Sequence, residues 1–179
     1  MEAISVSLLI FTVYGFSLLA YYALRKSELK TVRIVYINLI IMYALCLAAF
    51  SLLPINLPQT YKLNYIFFAK FVNAADTAEF MTYVGYSTFA VVIFIPMGVF
   101  MGMYCKLKAI NHEILYSVML GLLVSLTIEV SQIYLPFNRI CDVDEILFNV
   151  LGTFIGAAVF YSASRRRTMK NILRSILYY

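Results

Sequence analysis

The chain has 179 residues, of which 63% are hydrophobic and only 13% are charged, and its formal net charge is +5. A soluble globular domain carries about 25% charged residues, so the composition excludes an ordinary soluble domain and indicates a membrane protein. The net charge does not call for nucleic acid, because anionic lipid headgroups attract the basic clusters that flank membrane helices.

Five apolar stretches follow one another along the chain, and each is close to the ~20 residues that a helix needs to cross the hydrocarbon core. They cover residues 4–24, 34–53, 83–105, 114–136 and 143–163. Because an open sheet would leave backbone groups unpaired in lipid, the stretches are predicted to be helices. The expected fold is an all-α integral membrane protein of the cell membrane, a multi-pass bundle of five transmembrane helices.

The first stretch has the length of a signal peptide but not its flanks. It begins with Met1 and Glu2 rather than with basic residues, and no clear small-x-small cleavage site precedes its basic end. It is therefore expected to remain as a transmembrane helix.

The basic residues predict an orientation for the bundle. Eleven of the fourteen lysines and arginines follow the first, third or fifth stretch: Arg25, Lys26, Lys30, Arg33, Lys106, Lys108, Arg165, Arg166, Arg167, Lys170 and Arg174. The positive-inside rule then places the N-terminus outside and the C-terminus in the cytoplasm. On this prediction, residues 1–33 are a helix with a basic cytoplasmic loop, residues 34–163 a four-helix transmembrane domain, and residues 164–179 a basic cytoplasmic tail.

The predicted outer loop 54–82 is long for a compact bundle, and long ordered loops are often functional. Between Tyr61 and Phe71 it carries aromatic residues with interspersed lysines, a mixture that suits the headgroup region of a bilayer. An interfacial lid lying on the outer leaflet is the favoured interpretation. The alternative is a flap that contacts a substrate.

The third stretch contains Pro96, within the segment Phe94-Ile95-Pro96-Met97-Gly98. A proline inside a helix removes one backbone hydrogen bond and clashes with the preceding turn, so a kink is expected. The kink could serve packing alone, or it could be a hinge that opens a cavity.

Polar residues are concentrated in the hairpin formed by the fourth and fifth stretches. They are Glu129, Gln132, Arg139, Asp142, Glu145 and Asn149. Ionisable side chains are costly in lipid and normally face a bundle interior or a water-filled cavity. These residues are therefore the candidate functional site.

Counting along the hairpin predicts how these residues are arranged. Glu129 and Gln132 share one face of the fourth helix, and a stripe at steps of three and four residues runs along the fifth: Asp142, Glu145, Asn149, Gly152 and Gly156. The two glycines, with Pro96, are expected to serve helix packing, because glycines at this spacing allow close approach.

A turn near Phe137–Asn138 is expected to place Glu129 at the depth of Asn149 and Gln132 near Glu145. The result would be a polar cleft that opens outward. Arg139, at its rim, would pair with a carboxylate or hold an anionic headgroup.

These motifs resemble the VanZ-like membrane proteins. The resemblance is carried by Glu129-x-x-Gln132 at a helix end, by Pro136 and Arg139, and by the spacing of Asp142, Glu145, Asn149, Gly152 and Gly156. The Phe94–Gly98 segment looks like the family's F-I-P-x-G, and Leu63-Asn64 with Phe68 is similar to its L-N-x-x-P-F loop. The match covers roughly residues 60–160. It departs from the family pattern at three positions. The family has an aspartate where this chain has Glu145, a proline in place of Phe67 and an asparagine in place of Ala90.

The resemblance implies a polytopic protein of the bacterial cell envelope, associated with resistance to glycopeptide antibiotics of the teicoplanin type. It implies no established chemistry. The first hypothesis is a non-enzymatic factor whose cleft binds a lipid headgroup or an antibiotic moiety at the outer leaflet.

Three alternatives stay open. In a membrane-embedded enzyme acting on a lipid-linked cell-wall intermediate, Glu129 would be a general base while Asp142 and Glu145 held Mg²⁺. In a small proton-coupled transporter the carboxylates would relay protons. In the plainest alternative the polar side chains only pin the hairpin through interhelical hydrogen bonds.

No catalytic residue, cofactor or metal site is assigned from the sequence. The expected partners are membrane lipids, with a lipid-linked cell-wall precursor or a glycopeptide antibiotic as candidates, and no nucleic acid.

Overall fold

A computed structural model of the protein describes residues 29–52, 63–134 and 141–165. These contain, in chain order, α1 (Leu29–Leu52), β1 (Leu63–Asn64), α2 (Ala69–Val72), α3 (Thr77–Leu107), α4 (Glu113–Tyr134), β2 (Cys141–Asp142) and α5 (Val143–Ser164). The predicted helix 4–24 and all of the predicted tail beyond Arg165 lie outside the described residues.

Three of the described helices, α3, α4 and α5, are long and apolar enough to cross a membrane. They correspond to the third, fourth and fifth predicted spans. The second predicted span corresponds to α1, which includes the apolar segment Tyr36–Ala48. Helix α1 belongs to a different compact unit from the remaining elements.

Helix α3 begins at Thr77, earlier than the sequence predicted, so the outer loop ends before residue 82. The reason is a cap on the first turn. The Asp76 carboxylate accepts a hydrogen bond from the Glu79 amide at 2.7 Å, and the Glu79 carboxylate accepts one from the Ala75 amide at 2.8 Å. This reciprocal arrangement satisfies amides that a helix start otherwise leaves unpaired. From there α3 continues through Pro96 as one helix.

Helices α3 and α5 pack with their backbones in close contact. A Cβ added to Gly98 would overlap the carbonyl oxygen of Thr153, and a Cβ on Gly152 or Gly156 would overlap the carbonyl of Val91 or Ile95. Apolar helices in lipid gain little from burying one another, so close backbone contact of this kind supplies much of their association. The glycine pair therefore fixes the face that α5 turns towards α3.

Helix α4 packs against another side of α5. Gly121 of α4 contacts the Thr153 side chain, and a Cβ at Gly121 would overlap it. Helix α5 therefore packs against α3 through Gly152 and Gly156, and against α4 through Thr153. The polar residues near its start are therefore held inside the three-helix unit.

Strand β1 pairs with β2 in parallel, with Leu63 opposite Cys141 and Asn64 opposite Asp142. The sequence predicted no strand. This pair joins the outer loop to the first residues of α5, because Asp142 is both the end of β2 and the cap of that helix. Residues 63–72 are thereby held at the end of the unit where α4 ends and α5 begins.

Replacing Gly156 by alanine is expected to destabilise the bundle by about 1–3 kcal/mol, because the new methyl group meets backbone that cannot rotate away. Unfolding of the purified protein in mixed micelles, followed by circular dichroism as dodecyl sulfate is added, measures the change.

Gly85→Ala is the matched control, since nothing lies within 4 Å of a Cβ at Gly85. Alanine favours a helix over glycine by about 1 kcal/mol, so this variant should be as stable as the parent or slightly more so. Equal losses in the two variants would contradict the close contact between α3 and α5.

Candidate functional site

Four acidic residues lie near the point where α4 ends and α5 begins, and they are called the acidic cluster here: Glu129, Asp142, Asp144 and Glu145. Glu129, Asp142 and Asp144 are buried, with 1%, 3% and 4% of their surface exposed, and Glu145 is half-buried. Charges withdrawn from water to this degree need partners. The partners come largely from outside the hairpin.

Asp142 is the most fully paired member of the cluster. One carboxylate oxygen accepts hydrogen bonds from the Asn64 side chain and from the Asp144 amide, both at 3.1 Å. The other forms an ion pair with the Lys70 ammonium, which is itself about one-third exposed. Asp142 therefore caps α5 and anchors two residues of the outer loop at once.

Asp144 is held by the backbone of the same loop. Its two carboxylate oxygens accept the Phe68 amide at 3.0 and 2.9 Å. Phe68 has a φ of 57°, in the left-handed region that few residues other than glycine adopt without cost. The Phe68 ring packs against Phe148 of α5, with 6.4 Å between ring centroids. The carboxylate and this ring contact together hold the unusual turn.

Glu129 reaches across from α4 to the start of α5. Its Oε2 accepts the Asp142 amide at 2.9 Å. Its Oε1 is buried, and the Glu129 side chain also interacts with the Glu145 carboxyl and the Cys141 thiol. The thiol is a weak hydrogen-bond donor available to this carboxyl.

The hairpin register differs from the predicted one. Asn149 donates to the Ser125 hydroxyl at 2.9 Å, so Ser125 lies at its depth, while Glu129 lies beside the start of α5. The expectation that paired Glu129 with Asn149 was wrong by about one helical turn. The predicted register counted helical residues alone, whereas Cys141 and Asp142 are extended and advance ~3.3 Å each, against ~1.5 Å in a helix.

The remaining predicted residues fall in several places. Gln132 is buried on α4, Asn149 is buried between α4 and α5, and Gly152 and Gly156 lie against α3. Pro96 is half-buried within α3. Arg139 lies outside the described residues. In the part of the chain that the structure describes, no three acidic, cysteine or histidine side chains come together as a metal would require.

Sequence reasoning missed the contribution of the outer loop. Asn64, Lys70 and the Phe68 amide pair with the cluster, whereas the loop was expected to be chiefly an interfacial lid. Asp144, which was not among the predicted site residues, is buried. The excess of acidic residues in the hairpin was a signal that could have indicated this pairing, because buried carboxylates require a cation. Lys70, which lies among the aromatic residues of the loop, was a candidate for that cation.

Comparison with known families identifies the chain. The VanZ/LLP1 family model matches residues 39–165, well over half of its length. The chain belongs to the VanZ/LLP1 family. No curated protein and no solved structure matches it.

The VanZ/LLP1 match confirms the resemblance drawn from the hairpin motifs, and it extends further towards the N-terminus. It takes in much of α1 as well as both strands, α3, α4 and α5. The acidic cluster and the loop residues that pair with it all lie within the VanZ/LLP1 region.

The Cys141 thiol lies next to the acidic cluster but outside the membrane helices, so its pKa depends on the surroundings of the cluster. Burial, reinforced by the nearby carboxylates of Glu129, Asp142 and Glu145, raises the pKa of its thiol to about 11. Only the thiolate reacts with maleimides, so the thiol is expected to be unreactive near neutral pH.

We expect Cys141, in a chain with Cys46 and Cys105 replaced by alanine, to react with N-ethylmaleimide at pH 8 roughly a hundredfold more slowly than an ordinary thiol. The rate should rise with pH up to about pH 11, where the thiol ionises. Glu129→Gln removes a neighbouring negative charge and should speed the reaction. An ordinary rate at pH 8 in the parent chain would contradict the buried acidic surroundings.

Proposed function

We propose that this VanZ/LLP1 protein is a multi-pass protein of the bacterial cell membrane that contributes to resistance against teicoplanin-type glycopeptides. Its acidic cluster faces the outer leaflet and binds a lipid headgroup or an antibiotic moiety there. The cluster acts by binding, which alters the access of the drug to its target.

Family membership and three membrane-length apolar helices support the placement in a membrane. The outward direction is supported by basic residues at the end of the unit opposite to the cluster, Lys106 and Lys108 after α3 and Arg165 after α5. Lys106 and Lys108, for example, follow α3, whereas the cluster lies at the other end of the same unit.

One observation carries the proposal, the burial of the Glu129 carboxyl against a second carboxyl. Side chains that only pin a hairpin would be expected to pair a donor with an acceptor, as Asn149 does with Ser125. Glu129 instead lies beside the Glu145 carboxyl, with only 1% of its own surface exposed. Intramembrane ionisable groups are rare and mark binding or transport sites far more often than chance would give.

The proposal is tested by expressing Glu129→Gln, Asp142→Asn and Glu145→Gln variants in a host that lacks the gene. The parent chain should raise the minimal inhibitory concentration of teicoplanin, and each variant should lose most of that protection because its carboxylate no longer carries charge. Membrane fractions are blotted to verify that each variant accumulates normally.

Glu113→Gln serves as the matched control, since it makes the same change on the same helix at the opposite end, where Glu113 pairs with Lys106 at 3.2 Å. It should keep full protection. Full protection by all three cluster variants, at normal membrane levels, would overturn the proposed role of the cluster.

A further inference from the structure

We propose that residues 65–72 form an interfacial anchor, a segment whose outward side chains enter the bilayer surface at the cluster end of the three-helix unit. Lipid thereby holds the inward-facing donors of the same loop against the acidic cluster. This inference goes beyond the proposed function. It needs the placement of the protein in a membrane, but no role in resistance.

The loop presents polar groups on one side and apolar side chains on the other. The Asn64 side chain, the Phe68 amide and the Lys70 ammonium pair with Asp142 or Asp144. Four neighbouring apolar side chains are 55% to 80% exposed: Tyr65, Ile66, Phe67 and Val72. Large apolar side chains grouped on so short a segment indicate a surface that a partner covers.

Ring contacts place the interfacial anchor beside the membrane helices rather than beyond their ends. Phe71 packs against Phe80 of α3 and Phe148 of α5, with ring centroids 5.9 and 6.3 Å apart. Phe148 lies in the second turn of α5, ~7 Å from the start of that helix. Because α5 has 22 residues, a length of ~33 Å, its first turns lie at the edge of a hydrocarbon core of ~30 Å.

The exposed tyrosines of α4 indicate the same depth. Tyr116 and Tyr134 lie near the two ends of this helix, and the ~27 Å between them matches the ~30 Å core. Tyrosine is enriched at both interfaces of a membrane. Tyr134 is the last residue of α4, so the interface that it marks is the one beside the acidic cluster and the interfacial anchor.

Phospholipid is the partner that fits this surface. Residues 65–67 carry no charge and combine two aromatic rings with an aliphatic side chain, a mixture that suits the boundary between headgroups and acyl chains. Through the contact of Phe71 with Phe80, the surface continues onto the exposed apolar side chains of α3, Met81 and Val84. Lipid covers both parts of this continuous surface.

Lipid contact and the pairing with the cluster support one another. Phe67 directly precedes Phe68, whose amide donates to both carboxylate oxygens of Asp144. Burial of the Phe67 ring in lipid therefore stabilises the position of that amide. Without this burial the loop should open more often, and each opening uncovers Cys141, which is paired with Leu63 at the start of the loop.

The first test measures the depth of the interfacial anchor. The chain contains no tryptophan, so one introduced tryptophan reports on one place. The full chain with Phe67→Trp is placed in nanodiscs of phosphatidylcholine brominated either near the glycerol end or near the methyl end of its acyl chains. The shallow bromine should quench the fluorescence more strongly. Tyr65→Trp is the second reporter if Phe67→Trp does not fold.

Two further variants calibrate this depth. Leu123→Trp, exposed at the middle of α4, should be quenched more strongly by the deep bromine. Asn111→Trp, in the exposed turn between α3 and α4, should emit at a longer wavelength than Phe67→Trp and be quenched least by either lipid.

The second test measures whether lipid holds the loop. In nanodiscs, with Cys46 and Cys105 replaced by alanine, Phe67→Ser should speed the reaction of Cys141 with N-ethylmaleimide on the order of tenfold. Leu115→Ser is the matched control, since Leu115 is 58% exposed against 55% for Phe67 and lies at the opposite end of the unit. It should leave the rate unchanged.

Shallow quenching of Phe67→Trp, with a faster Cys141 reaction in Phe67→Ser, supports the inference. Emission at the wavelength of Asn111→Trp would reveal a flap in water and overturn it. Emission at a shorter wavelength without quenching by lipid would assign the surface to protein, a second copy included, and contradict it equally. Shallow quenching with an unchanged Cys141 rate would sink the claim that lipid holds the loop. Neither readout depends on teicoplanin, so failure of the resistance experiment sinks the proposed function alone.

Discussion

Burial of three carboxylates, beside a fourth that is half-buried, at one end of an apolar helical unit is the constraint on which the rest of this structure depends. Glu129, Asp142 and Asp144 are almost fully withdrawn from solvent. The described residues of the hairpin place no cation beside them, and donors come from a segment more than sixty residues earlier in the chain. Lys70 supplies a charge, Asn64 a side-chain amide and Phe68 a backbone amide. The order of the loop is therefore a consequence of the electrostatics of the hairpin.

The helix packing and the cluster support one another. Gly98, Gly152 and Gly156 bring α3 and α5 into backbone contact, which leaves little room for adjustment between them. Asp142 then caps α5 and pairs with β1, so the start of that helix is fixed as well. Glu129 of α4 then lies against the cap of α5, since its carboxylate accepts the Asp142 amide. Its other oxygen is buried, and the side chain also interacts with the Glu145 carboxyl and the Cys141 thiol.

Much of the membrane fold could be predicted from the sequence, because apolar length and glycine spacing are local signals. Helices α3, α4 and α5 follow three of the five predicted spans, and the acidic residues of the hairpin come together near the end of α4. The hairpin register could not be predicted by counting helical residues, since Cys141 and Asp142 are extended and leave no periodic signal in the sequence. The roles of Asn64 and Lys70 depend on a parallel pairing between distant segments, for which a two-residue strand leaves no periodic signal.

A double-mutant cycle on Lys70 and Asp142 tests most directly whether the loop neutralises the buried acids. Lys70→Met alone should lower the free energy of unfolding by about 1–3 kcal/mol, because the buried Asp142 carboxylate loses its counterion. The loss is kept to this range because Lys70 is partly exposed, and solvent weakens its ion pair. Lys70→Met with Asp142→Asn should recover much of the loss. The coupling should exceed that of Lys106 with Glu113, whose carboxylate is more exposed. Strictly additive losses at Lys70 and Asp142 would contradict the dependence of the cluster on the loop.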